Sequence, residues 1–132
     1  MIRSSCLASL AFGLSLCAMC ASAAPLPPAA RAEVEGLMQR LQSSGCQFNR
    51  NGSWFSASEA RDHLLQKLDY LERKDMVHST EQFIALGASE SSMSGKPYLV
   101  RCGSAAPVES KRWLSAELQG LRTRPAASAP GK

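Results

Sequence analysis

Apolar residues recur at helical spacing in three long stretches of the chain and alternate with polar ones between them. Val34, Leu37, Met38 and Leu41 sit at i, i+3, i+4 and i+7, which predicts a first helix over residues 31–44. Ser43-Ser44-Gly45 ends it, with Gly45 where a helix favours a left-handed residue. Cys46, Phe48 and Arg50 then alternate with Gln47 and Asn49, and Asn51-Gly52 divides them from Ser53-Trp54-Phe55. An Asn-Gly pair there predicts a hairpin, because both turn residues need positive φ. Ser56-Ala57-Ser58-Glu59 has the form of a capping box and opens a second helix with the stripe Ala60, Leu64, Leu68 and Leu71. That helix is expected to fray over residues 74–78. Ser79 or Thr80 caps a short third helix carrying Phe83, Ile84 and Leu86, with Gly87 near its end. Residues 88–96 read as a polar loop, 97–102 as a strand and 103–107 as a turn. A fourth helix over 109–122 lays Trp113, Leu114, Leu118 and Leu121 along one side, and Trp113 is read as structural.

The element order is α-β-β-α-α-β-α. It predicts a small single α+β domain with a short two- to three-stranded antiparallel sheet packed on helices. A chain of 132 residues, 45% apolar and 20% charged, has room for one such domain.

The first residues read as an address. Arg3 precedes an apolar run over residues 6–19, Ala21-Ser22-Ala23 supplies small residues for cleavage, and Pro25, Pro27 and Pro28 follow. A signal peptide over 1–23 is expected, cut after Ala23 with Ala24 as the alternative. The run is too short for a spanning helix. Cys17 follows Leu16 and Cys20 follows Met19, a poor setting for lipid attachment. The expected division is a Pro/Ala linker at 24–30, the domain at 31–122 and a disordered tail at 123–132, with no transmembrane segment after cleavage.

Cleavage leaves two of the five cysteines, Cys46 and Cys102. In an exported chain they read as one disulfide joining the first and third strands, the alternative being two buried thiols. The loop so closed is long, for which a chain-entropy account gives about 4 kcal/mol. The formal net charge of +4 is concentrated at the ends. Arg3, Arg122, Arg124 and Lys132 lie outside residues 24–121, where basic and acidic residues balance. A nucleic-acid partner is therefore not expected. No residue pattern indicates a cofactor or a metal.

The motifs Cys46-x-Phe48-x-Arg50-Asn51-Gly52, Glu59-Ala60-x-x-His63-Leu64-x-x-Lys67, Ser89-x-Ser91-Ser92-x-Ser94-Gly95-Lys96-Pro97-Tyr98 and Trp113-Leu114 go together. With Phe83-Ile84 and Cys102 they resemble the YfeK-like family of small exported bacterial proteins, a domain of unknown function. The likeness spans roughly residues 34–121. It implies a periplasmic protein of Gram-negative bacteria and carries no activity or catalytic residue.

The candidate binding residues are Arg50, His63, Lys67, Ser91, Ser92, Ser94, Gly95, Lys96 and Tyr98. A loop of hydroxyls with one Gly and one Lys can cradle an anion. The plain alternative is a turn whose serines bond local backbone. The loop lacks the spacing of a P-loop, since Pro97 follows Lys96. Ser94-Gly95-Lys96-Pro97-Tyr98 resembles the S-G-x-x-Y loop with which periplasmic lysozyme inhibitors plug a glycosidase cleft, although those proteins are largely β-sheet. Glu59, His63 and Lys67 share one helix face and read as an acid–base group, as a salt-bridge ladder, or as a histidine whose ring packs between sheet and helix with a bonded nitrogen. Arg50 is expected to pair with Glu59 or Asp62, or to hold an anionic ligand. Trp54 and Phe55 are core or binding-face residues, and His78 is assigned no role.

These readings favour a non-enzymatic binding or interaction module with a periplasmic or cell-envelope protein as partner. Inhibition of a cell-wall lytic enzyme and a small Ser/His hydrolase are the alternatives.

Overall fold

The computed structural model describes residues 24–123. The expected signal peptide and the tail beyond Thr123 lie outside them. Four helices and four strands follow in the order α1 (Pro28–Ser43), β1 (Gln47–Arg50), β2 (Ser53–Phe55), α2 (Ala57–Arg73), α3 (Thr80–Gly87), β3 (Leu99–Arg101), β4 (Val108–Glu109) and α4 (Ser110–Thr123). The class is α+β as the sequence implies, but the sheet has four strands, not two or three. Its order is β2-β1-β3-β4 and every pairing is antiparallel.

The fourth strand is two exposed residues placed by pairing alone, Leu99 opposite Glu109 and Val100 opposite Val108. The other correction lies at the N-terminus. Pro28 opens α1, so the stretch expected as a linker already contains its first turn. Proline is well suited to that position, since its fixed φ is helical and its missing N–H would have no partner there. Leu26, just before it, is buried, and its N–H donates to Glu72 at 2.9 Å.

The remaining boundaries follow local chemistry. Gly45 ends α1 with φ 68°. Asn51 and Gly52 turn the hairpin with φ 52° and 86°. Ser56 accepts from the Glu59 N–H while the Glu59 carboxylate accepts from the Ser56 N–H, a complete capping box. Ser79, rather than Thr80, caps α3 by accepting from Gln82.

α1 packs against the other three helices, and its apolar stripe of Val34, Leu37, Met38 and Leu41 is buried. Phe83, Leu114 and Val77 close around that stripe. On the sheet, Phe48 lies opposite Phe55 and Val100, and its ring meets Trp113 edge to face at 5.8 Å. Trp113 thus holds the structural place expected of it. Cys46 and Cys102 form the disulfide, 56 positions apart in sequence, beside the end pair Gln47–Arg101 of β1 and β3.

Candidate functional site

Strand parity decides what reaches the opposite end of those two strands. Side chains two apart share a face. Phe48 points into the core, so Arg50 points the same way, as does Phe55 across the β1–β2 pair. Tyr98 shares that face with Val100, and its ring is buried. α2 packs against β1 on this side. His63 and Lys67 lie one position before Leu64 and Leu68 of the buried stripe, on its shoulder. A strand-end arginine, a helix shoulder and a tyrosine entering β3 are thereby brought together.

Arg50 Nη1 lies 2.8 Å from His63 Nδ1 and 3.1 Å from Nε2. Close to both ring nitrogens at once, the guanidinium lies over the imidazole face and not in line with either nitrogen's lone pair. Nε2 lies 3.3 Å from the Tyr98 hydroxyl. Lys67 Nζ donates to the same hydroxyl at 3.2 Å and to the Glu90 carbonyl at 3.2 Å. The Tyr98 oxygen accepts from Lys67, and the direction of its bond with Nε2 follows the imidazole tautomer. Arg50 also stacks on the Phe55 ring at 5.1 Å.

The electrostatics agree with a neutral imidazole. Burial first, then the charges of Arg50 and Lys67, hold the His63 pKa below its ordinary value. Burial and Arg50 also lower Lys67, which Glu90 partly offsets. Burial raises Tyr98, against the pull of Arg50.

No carboxylate lies within ion-pair distance of Arg50 or Lys67 among the described residues. The expected partnership of Arg50 with Glu59 or Asp62 is not formed. Glu59 is committed to the Ser56 N–H, and Asp62 meets Arg61 at 3.4 Å. The ladder Glu59–His63–Lys67 is likewise not a unit. No three or more His, Cys, Asp or Glu side chains among the described residues form a group able to hold a metal.

The 89–98 loop is a small folded hairpin. Glu90 bridges Pro97, the Ser91 N–H donates to the Lys96 carbonyl at 2.9 Å, and Gly95 donates back to Ser91 at 2.8 Å. Buried Ser91 accepts from Asn51 Nδ2 at 3.2 Å, and Ser94 donates to Asn51 Oδ1 at 2.5 Å, so the loop is pinned to the β1–β2 turn. Of the candidate residues, Arg50, His63, Lys67, Ser91, Ser92 and Tyr98 line one cavity of about 410 Å3. Ser94, Gly95 and Lys96 stay on the exposed outer side of the loop. Within Ser94-Gly95-Lys96-Pro97-Tyr98, the tyrosine is turned inward to His63 and Lys67, away from the tip.

A second cavity of about 180 Å3 adjoins the first and shares Arg50, Phe55, His63 and Tyr98 with it. Its own lining is mainly apolar, from Phe48, Ala60 and Leu64. The sequence reading missed this half, and also missed Asn51, which it took only as a turn residue. Trp54 lies outside both cavities, covered by the Arg101 guanidinium at 4.0 Å.

The profile of a family of unknown function (DUF5329) matches residues 28–122, most of the chain. The chain belongs to the DUF5329 family. The match begins where α1 begins, ends one residue before the end of α4, and covers every residue of the candidate site in this DUF5329 domain. Nothing in it carries the YfeK-like name. No curated protein and no solved structure matches the chain.

Proposed function

We propose that this DUF5329 domain is a non-enzymatic binding module that seats an anionic group of its ligand between Arg50, Lys67 and Tyr98. One observation carries the reading: Arg50, Lys67 and the Tyr98 hydroxyl converge on His63, and among the described residues neither cation has a carboxylate within ion-pair distance, Glu90 acting on Lys67 only from further off. Buried or half-buried charges are normally paired, and a complementary anion would complete this set. Spare N–H groups on Arg50 and Lys67 and the Tyr98 O–H supply charge-assisted hydrogen bonds. The loop contributes its inner serines, while its outer rim remains open to a partner.

A Ser/His hydrolase is less well supported. The polar partners of His63 are Arg50 and Tyr98, not a serine, and Ser91 is engaged with Asn51. The leader pattern before Ala24 and the Cys46–Cys102 bridge support a periplasmic setting. No helix among the described residues is long and apolar enough to cross a membrane.

The test is a backbone NMR titration of the purified protein with inorganic phosphate and with acetate. Shifts are expected to cluster at Arg50, His63, Lys67, Ser91 and Tyr98. Lys67→Met should weaken binding about tenfold, the scale of one hydrogen bond to a charged group. Shifts scattered over the surface, or unchanged affinity in Lys67→Met, would refute the reading.

A further inference from the structure

The adjoining apolar cavity bears on what carries the anion. Arg50, His63, Phe55 and Tyr98 line both cavities, so a group seated on them meets a space edged by more polar side chains, with Met93 at its rim, on one side and a more apolar one on the other. The polar side adds Lys67, Asn51, Ser91 and Ser92. The apolar side adds Phe48, Ala60 and Leu64, with Glu59, Asn49 and Ser110 also on its wall. Glu59 is the one carboxylate among the residues lining either cavity and it lies on the apolar side, with its Oε2 turned to the Ser56 N–H, while the Glu90 charge reaches Lys67 from outside both. Its charge directs an anion away from that cavity and towards Lys67. A ligand spanning both spaces is thus oriented, charged end to Lys67 and uncharged body to Leu64.

Size narrows the body. The apolar cavity holds about 180 Å3. A dry cavity of about 150 Å3 accepts one benzene ring. A single ring or a short branched chain fills that volume. Phe48, Phe55 and Tyr98 offer ring faces and edges to such a body.

We propose that the ligand is a small organic acid whose carboxylate is joined closely to one ring or a compact branched alkyl group. This deepens the anion-binding reading and rests on it. Inorganic anions then occupy only half of the site.

Calorimetric titration of the purified protein with acetate, phenylacetate, benzyl alcohol and inorganic phosphate tests this. Phenylacetate is expected to bind about tenfold or more tightly than acetate, because its ring leaves water for the apolar cavity. Benzyl alcohol, with the ring and no charge, should bind far more weakly than phenylacetate. Ala60→Leu narrows the cavity and should lower phenylacetate affinity about fivefold or more, as overpacking opposes insertion. Should that variant not fold, the comparison of ligands on the unaltered protein decides alone. Equal affinity for acetate and phenylacetate overturns the inference and leaves anion binding intact. Binding of benzyl alcohol as tight as phenylacetate overturns both, as does failure of all three anions to bind. Phosphate binding without phenylacetate binding overturns the ligand class only.

Discussion

His63 is held neutral by its neighbours, and that has a measurable sign. Its folded pKa lies below the ordinary 6.5 because of burial and the charges on Arg50 and Lys67. Between the folded and unfolded values the unfolded chain binds more protons, so stability rises with pH in that window. The contribution is complete above 6.5 and is lost as pH falls through the folded value. Glu33, Glu59, Glu72 and Glu81 also have lowered pKa values, but their effects fall below 4.5. Urea unfolding from about pH 5 to about pH 8 should therefore show a rise on the acidic side that His63→Gln flattens. An identical pH profile in the variant would show that the imidazole is not neutralised by folding. Lys67→Met removes one of the two nearby charges and should raise the His63 pKa, read from its imidazole NMR shifts. An anion bound against the ring should raise it too, so affinity should increase as pH falls through the histidine's titration.

At the scale of elements, local signals did most of the specifying. The capping box at Ser56 and Glu59 starts α2 where the sequence places it. Ser56→Ala should cost about 1 kcal/mol in urea unfolding. Gly52, at φ 86°, should tolerate Ala poorly, losing about 1–2 kcal/mol for the left-handed backbone. Both features were legible because a few neighbouring residues settle them. β4 was not, since Val108 and Glu109 carry no pattern and are placed only by the open edge of β3. The candidate site was legible in its parts and misread in its pairing. Arg50, His63, Lys67 and Tyr98 stand out as residue types, but the sequence suggests Glu59 or Asp62 as the partner of Arg50. Helix capping had already claimed Glu59, and strand parity turned Arg50 onto His63. The apolar cavity had no local signal at all, because Phe48, Phe55, Ala60 and Leu64 read simply as core.

For the molecule as a whole, α1 is the common partner of the other helices, and charge clamps secure them to it. Arg122 of α4 reaches Glu33 of α1 at 2.7 Å and Glu81 of α3 at 2.6 Å, while Arg40 meets Glu117 at 2.9 Å. The disulfide joins the sheet rather than the helices. Replacing Cys46 and Cys102 together by Ser should lower unfolding free energy by about 2–5 kcal/mol, seen as a lower urea midpoint. An unchanged midpoint would mean that strand pairing alone closes the loop. The crosslink also lies at one end of β1 and β3, with Arg50 and Tyr98 at the other. The ribbon thus resembles a clothes peg, sprung at the cysteines and free at the jaws. Beyond the strand pairing, which runs to Asn49 and Leu99, the Asn51 contacts to Ser91 and Ser94 fasten the turn to the loop. Two such bonds are worth about 0.5–1.5 kcal/mol each. Losing both bonds would free the rim of the turn from the loop while the strand ladder and the covalent link at its far end stay as they are.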